Sequence, residues 1–495
     1  VGSEMCIRDS PGIDGIYPAF LQKGLKNLIP FIKTLFIASH THGYIPTAWR
    51  KVKVIYIPKA GKRPSDLPKS YRPISLTSFL LKAMERIIDR YIRDEILIHS
   101  PIHKNQYAYQ QGKSTNTALQ AFVKRVQKIF DDKEIGIAAS VDIQGAFDNT
   151  AYNKINEALT KKNVDLKTSL WIDKMLKNRE ITSCLGTESL SVTPAKGCPQ
   201  GGVLSPLLWC LVMDSLLIEL ESKGIRAQAF ADDIVILNIG ISGSTVSDST
   251  QIGLSTVAAW CKNQGLSTSP EKTVVVKFTK LRKEEKKAKP PILNGKKIEF
   301  SNHFKYLGVI IDSGLTFKAH LTTKLAQANN ALWTCKSFAG KTWGTNPKMM
   351  MWMYTAIVRP MLTYASFIWW KKAQQVTSRI KLNKIQRLAC SIATGAFRST
   401  PTAALETALN IPPLHLFMKY EANKFNYKLS TSKDKFLSSL TNDELTKEQQ
   451  KDELLSMNIS DHMTIFYNFE FNFNTIIEER VALQQENLIF PENAL

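Results

Sequence analysis

The segment QAFADDIVIL (228–237) reads as two apolar half-strands with two adjacent carboxylates, Asp232 and Asp233, at the break between them. A carboxylate buried alone in an apolar strand is strongly unfavourable. A doubled one is tolerated at a hairpin turn in water or around a cation. The pair by itself leaves both readings open.

A second carboxylate stands in a comparable place. Asp142 lies at the end of the apolar strand IGIAASVDI (135–143), within SVDIQGAFDN (140–149), where an isolated Asp is equally a helix N-cap. Between the two carboxylate sites lies GCPQGGVLSPLLW (197–209), with three glycines and two prolines, leading into a helix. Gly201 and Gly202 allow the backbone to approach a base pair or sugar closely. Nucleotidyl transfer uses two divalent ions about 4 Å apart, and such hard cations take carboxylate oxygens from rigid elements. Asp142 and Asp232-Asp233 offer such oxygens at strand ends.

Apolar periodicity predicts a helix over 16–39, a strand over 52–58 and an amphipathic helix over 78–96 with Leu81, Met84, Ile87, Ile88 and Tyr91 on one face. It further predicts a helix from Pro206 to Glu221 and strands over 273–279 and 303–312, with a hairpin turn at Asn294-Gly295. The basic stretch LRKEEKKAKPP (281–291) reads as a loop or hairpin tip, and 315–427 as helical almost throughout. The opening VGSEMCIRDS has neither periodicity nor an apolar run, and is set aside as a foreign or artefactual segment.

The net charge of +22 favours a polyanionic partner. Residues 431–495 carry 5 basic and 12 acidic side chains, so the excess falls on residues 1–430, where nucleic acid is expected. The seven cysteines are scattered with no CxxC pair, which argues against a disulfide frame or zinc site and fits an intracellular location. The apolar stretch 203–220 reads as a buried helix, and no membrane span is expected.

In order and spacing these motifs resemble the reverse transcriptases of non-LTR retrotransposons, of the jockey-like group. AFADD resembles the F/Y-x-D-D motif, SVDIQGAFDN the first palm motif and GCPQGGVLSPLLW the Pro-Gln-Gly motif. The likeness extends from Pro11 to about Leu414 through IPKAGKRPSDLPKSYRPISLTSFLLKAMERIIDRYI (57–92), QYAYQQGKSTNTAL (106–119), GLSTSPEKT (265–273), FKYLGVIID (304–312), IVRPMLTYASFIWW (357–370) and the segment 382–414.

The resemblance implies an α+β right-hand polymerase. Fingers and the entry to the palm would occupy 11–135, an antiparallel-sheet palm 136–313, a helical thumb and connector 314–430, and an acidic tail 431–495. It implies RNA-directed DNA synthesis with two Mg2+ or Mn2+ ions, an RNA template, a DNA primer and deoxynucleoside triphosphates, acting in the nucleus during target-primed synthesis and otherwise cytoplasmic. Asp142, Asp232 and Asp233 match the metal-binding carboxylates, and Ile143 a ligand through its carbonyl. Phe147 matches the ring that excludes a ribose 2′-OH; the alternative is a core aromatic at a helix start. Gln200 and Gly201 match the segment that touches the nascent pair. Lys59 and Arg72 match residues that grip the triphosphate, and Lys272 a lysine that protonates the leaving pyrophosphate; solvated surface charge is the alternative for all three.

Ile13 departs from the proline of the group's P-G-P-D-G motif, and Ser269 from its usual asparagine. An upstream endonuclease, a C-C-H-C knuckle and a ribonuclease H set are not found, so a fragment or truncated copy is expected. QGKST (111–115) lacks the earlier P-loop glycine, having Tyr107 instead. His99 and His103 are separated by Pro101 and read as surface histidines; Trp343, Trp352, Trp369 and Trp370 read as core. Two rivals are a decayed or domesticated copy that only binds nucleic acid, and a viral RNA-dependent RNA polymerase. Ala231 and Phe147 argue against the latter.

Overall fold

The computed structural model describes residues 11–59, 67, 70–185, 188–338, 344–397, 399–432 and 434–441. The set-aside opening, Trp343 and most of the acidic tail lie outside these. The strands that matter are β1 (Lys51–Pro58), β2 (Tyr71–Leu76), β3 (Ile135–Gln144), β4 (Glu180–Leu185), β5 (Glu188–Val192), β6 (Ala227–Phe230), β7 (Asp233–Gly240), β8 (Ser267–Thr268) and β9 (Val274–Thr279). They are split between two sheets, and the class is α+β.

β3 is the central strand of the larger sheet. It pairs antiparallel with β7 from Ile135↔Gly240 to Asp142↔Asp233, and with β9 from Ile135↔Thr279 to Ser140↔Val274. β6 continues the sheet beyond β7, and β8 takes up Ile143 and Gln144. Ile135, Ile137, Ala138, Ala139 and Val141 are all buried, which explains why β3 is apolar without alternation. The helix Gly243–Asn263 packs on β3 and β7. The helix Ser205–Ser222 buries Leu207, Leu208, Trp209, Cys210, Leu211, Val212 and Met213, so it shows no amphipathic stripe in the sequence. In the second sheet β1 pairs antiparallel with β2 and parallel with β4, which turns back as β5.

Contacts divide the chain into two units. One comprises the residues up to Thr115 with Lys133–Ser301; the other comprises Asn116–Asp132 with the residues from Asn302 onward. In the second unit the helix Thr115–Asp131 places Phe122 5.6 Å from Phe304 and 5.7 Å from Tyr306, ring centre to ring centre. Among the described residues the rest of this unit is a two-stranded hairpin within 303–312 followed by helices from Lys318 to Ser438.

Several sequence expectations need correction. The stretch 303–312 is a hairpin of two strands, His303–Tyr306 and Val309–Asp312. Leu307 (φ 45°) and Gly308 (φ 83°) are both left-handed and make the turn. Residues Arg282–Lys287, expected as a loop, form a short helix whose Glu284 carboxylate accepts from Gly243 N at 3.0 Å. In the helix Phe79–Tyr91 the buried face is Leu81, Met84, Glu85 and Ile88, while Ile87 and Tyr91 are exposed. The helix thus turns the Glu85 carboxylate toward the core beside Ile88, and Ile87 toward solvent. His103 is not a surface residue: its ring is buried and Nε2 lies 3.0 Å from Glu221. Trp369 is core, but Trp352 is exposed. Among the described residues the cysteines are free, and no helix is long and apolar enough to cross a membrane.

Candidate active site

The hairpin between β6 and β7 turns at Ala231 and Asp232. Ala231 has φ 57°, a left-handed conformation costing a non-glycine residue about 1–2 kcal/mol. It persists because neighbouring backbone is pinned. Ala229 N donates to Asn105 O and Tyr107 N donates to Ala229 O, each at 2.9 Å, and Ala231 N donates to Gln106 Oε1 at 3.2 Å. This turn sets the register that puts Asp233 directly across from Asp142, so both carboxylates leave the sheet on one face. Asp232, half-buried, is adjacent.

Concentrated charge marks the site. Burial, then the neighbouring Asp142, raises the Asp232 pKa against a hydrogen bond from its own amide. Burial, then Asp232 and Asp142, raises Asp233 to about 6. Lys272 Nζ approaches Asp142 Oδ2 to 3.0 Å. The lysine is delivered by a turn in which Ser269 N donates to Asp142 O at 3.0 Å and Thr273 Oγ1 donates to Ser269 O at 2.8 Å. Among the described residues no three His, Cys, Asp or Glu side chains already converge at ligand geometry. Three adjacent carboxylates, two of them with raised pKa, are nonetheless a hard-oxygen set suited to divalent cations of the Mg2+ type.

The loop after Lys196 lies against the turn that follows β3. Gly197 N donates to Thr150 O and Cys198 N to Phe147 O, each at 2.8 Å. Gly197 (φ 87°) could not carry a side chain, since a Cβ would sit 2.4 Å from Asp148 O. Buried Arg179 donates to Gly197 O at 2.5 Å and to Tyr152 Oη at 3.1 Å. Gln200 Nε2 donates to both Asp148 oxygens at 2.9 and 3.0 Å, and Gln200 O accepts from Ser75 N at 2.7 Å. Gly201, at φ 113°, makes the next bend.

Fully buried Glu85 closes the loop. One of its oxygens accepts from Val203 N and from Leu204 N, the latter at 3.0 Å, just before the helix Ser205–Ser222 begins. Burial raises its pKa; the two amide bonds, Lys82 and Arg179 oppose this. Sequence reasoning missed Glu85 and Arg179. The available signal was a glutamate at apolar spacing, four after Leu81 and three before Ile88.

The residues singled out in the sequence are thus distributed unevenly. Asp142, Asp232, Asp233 and Lys272 come together, with Ile143 buried on the same strand. Phe147 is half-buried on Trp209, ring centres 5.8 Å apart, beside the Gln200–Gly201 loop. Lys59 N donates to Ser70 O at 2.8 Å, and the Lys59 charge opposes the burial that raises the Asp148 pKa. Arg72 stands exposed on β2 opposite Ile57.

Residues 57–311 match the family described as reverse transcriptase (RNA-dependent DNA polymerase). The chain is 27% identical over 426 residues to the 115 kDa protein of the type-1 retrotransposable element R1DM of Drosophila melanogaster, covering 85% of this chain and 40% of that one. It is 25% identical over 441 residues to the RNA-directed DNA polymerase from mobile element jockey of the same fly, covering 86% and 47% respectively. It therefore spans less than half the length of these relatives. Among solved structures, apo telomerase from Candida Tropicalis is similar at 11% identity and a TM-score of 0.42, over 92% of this chain and 74% of that chain.

Proposed function

The chain belongs to the reverse transcriptase (RNA-dependent DNA polymerase) family, and from that premise we propose that it extends a DNA primer on an RNA template, as part of a non-LTR retrotransposon enzyme of the jockey-like group. The observation that carries this reading is the in-register pairing of Asp142 with Asp233, with Asp232 in the adjoining turn. On this reading residues 11–135 contribute the fingers, 136–313 the palm and 314–430 the thumb and connector, and the protein works in the nucleus during target-primed synthesis.

Asp142, Asp232, Asp233 and the Ile143 carbonyl would hold two divalent ions, Mg2+ or Mn2+. When bound, these ions supply positive charge at the attacking 3′-hydroxyl and at the leaving pyrophosphate. The chain's own residues do the rest. Lys272 is the proton donor for the departing pyrophosphate, and in the protein alone its ammonium offsets the charge of Asp142. Lys59 and Arg72 bind the triphosphate as cations. Gln200 and Gly201 support the nascent base pair, fixed by the Asp148 and Ser75 bonds. Phe147, braced by Trp209, lies under the sugar and excludes a 2′-OH by steric contact. Extension of oligo(dT) on poly(rA) with dTTP tests the proposal; no extension under any divalent ion overturns it.

A further inference from the structure

We propose that Gln106 is a positioning residue that sets the Asp232-Asp233 turn through its side-chain oxygen. The inference rests on the polymerase reading above. Gln106 is completely buried, between Tyr107 and the β6 edge, and pairs as an isolated parallel bridge with Ala229. Its Oε1 accepts from Ala231 N and from Ala108 N, each at 3.2 Å. Its own carbonyl accepts from Gln110 Nε2 at 2.8 Å and Lys113 Nζ at 3.1 Å, which fixes the segment on the other side.

The orientation of the side-chain amide follows from these partners. Two backbone N–H groups need an acceptor, and only the oxygen provides one. Nε2 is left buried with no hydrogen-bond partner. A buried, unpaired amide nitrogen is unfavourable, and an apolar side chain of similar size would remove that burden. What an apolar side chain cannot supply is the acceptor for Ala231 N.

That amide belongs to the left-handed residue immediately before Asp232. Without the Gln106 oxygen Ala231 can relax toward ordinary backbone. The relaxation turns the next peptide, and with it the direction of the Asp232 carboxylate. Chemistry that depends on carboxylates placed to within a fraction of an ångström responds to such a shift far more than binding does.

The test compares Gln106→Met, which keeps volume and loses the acceptor, with Gln106→Glu, whose carboxyl offers an acceptor oxygen whether or not it is protonated. Amide hydrogen exchange and primer extension are measured on both and on the parent. For Gln106→Met we expect exchange at Ala231 at least tenfold faster with β3 and β9 amides unchanged. Its kcat should fall at least tenfold while KM for the nucleotide stays within twofold. For Gln106→Glu we expect parental exchange at Ala231. Parental Ala231 protection in Gln106→Met overturns the proposal, as does lost protection with kcat within twofold of parent. Uniformly faster exchange in both variants also overturns it, since the role would then be structural. A parent that extends nothing sinks the polymerase reading and this proposal with it; the exchange data distinguish that failure from loss of the Gln106 hold.

Discussion

Asp142 and Asp233 stand opposite each other across the β3–β7 ladder, at the end where that pairing stops. Like charges directly opposite are destabilising in a sheet, so the arrangement opposes folding of the protein alone, which supports the proposed cation site. Lys272, 3.0 Å from Asp142, offsets only part of that charge.

The buried Glu85 carries the entry to the helix Ser205–Ser222. Glu85→Ala leaves the Val203 and Leu204 amides without their acceptor, and we expect a loss of roughly 2–4 kcal/mol in stability. Glu85→Gln, which keeps an acceptor oxygen and removes the buried charge, should lose much less. Guanidinium unfolding curves for the three proteins check this; equal midpoints for Glu85→Ala and parent would contradict it.

How far the sequence could be read depends on whether a residue acts along its own strand or through contacts distant in sequence. Asp142 and Asp232-Asp233 were each ambiguous alone, as a helix N-cap and a turn pair, and were singled out by their order around GCPQGGVLSPLLW (197–209). The central sheet followed from its strands, β3 above all. Glu85 and Arg179 were not legible, since each acts through backbone far away in sequence: Glu85 on Val203 and Leu204, Arg179 on Gly197. The Leu307-Gly308 turn was missed because Leu307 is not a residue that advertises a left-handed φ. Gln106 sits in a motif recognised by resemblance, but only the Ala231 contact reveals what its side chain touches.

The second unit carries a pH sensitivity of its own. His320 is buried, accepts from Ile310 N at 3.2 Å and packs edge-on against Trp369. Burial, then Lys324, lowers its pKa to about 4. The folded protein therefore binds fewer protons than the unfolded chain between pH 6.5 and 4, so stability is present above 6.5 and is lost as pH falls through that window. The loss should be on the order of 3 kcal/mol. Thermal melts at pH 7 and pH 4.5 should differ in the parent and differ less in His320→Gln; an unchanged pH slope in the variant would assign the effect elsewhere.

Sugar selection is checked at Phe147, which Trp209 braces from one side. Phe147→Val should raise ribonucleotide incorporation at least tenfold relative to deoxynucleotide, about 1.4 kcal/mol of lost discrimination. A well-folded variant, shown by an unchanged melt, that still refuses ribonucleotides would place the gate elsewhere.

Charge distribution makes a prediction about salt. Residues 313–405 contain 13 lysines and arginines and no Asp or Glu, whereas residues 442–495 carry 3 basic and 11 acidic side chains. Affinity for an RNA–DNA duplex should fall with a log–log salt slope of several units. Removing 442–495 should leave that slope unchanged or steeper. Residues 434–441 should be kept, because Gln120 and Lys124 bond to the carbonyls of Leu440, Ser439 and Thr441. A salt-independent affinity would point to a protein partner.

On the proposed function, Asp142 serves the chemistry of primer extension and not the stability of the sheet. Extension of oligo(dT) on poly(rA) by Asp142→Asn, measured beside duplex affinity and a thermal melt, tests it most directly. Loss of a carboxylate from a two-ion site removes several kcal/mol of transition-state stabilisation. Extension should fall by at least about a thousandfold, with duplex affinity and melting temperature no lower than the parent's. Extension by Asp142→Asn at near-parental rate would contradict it.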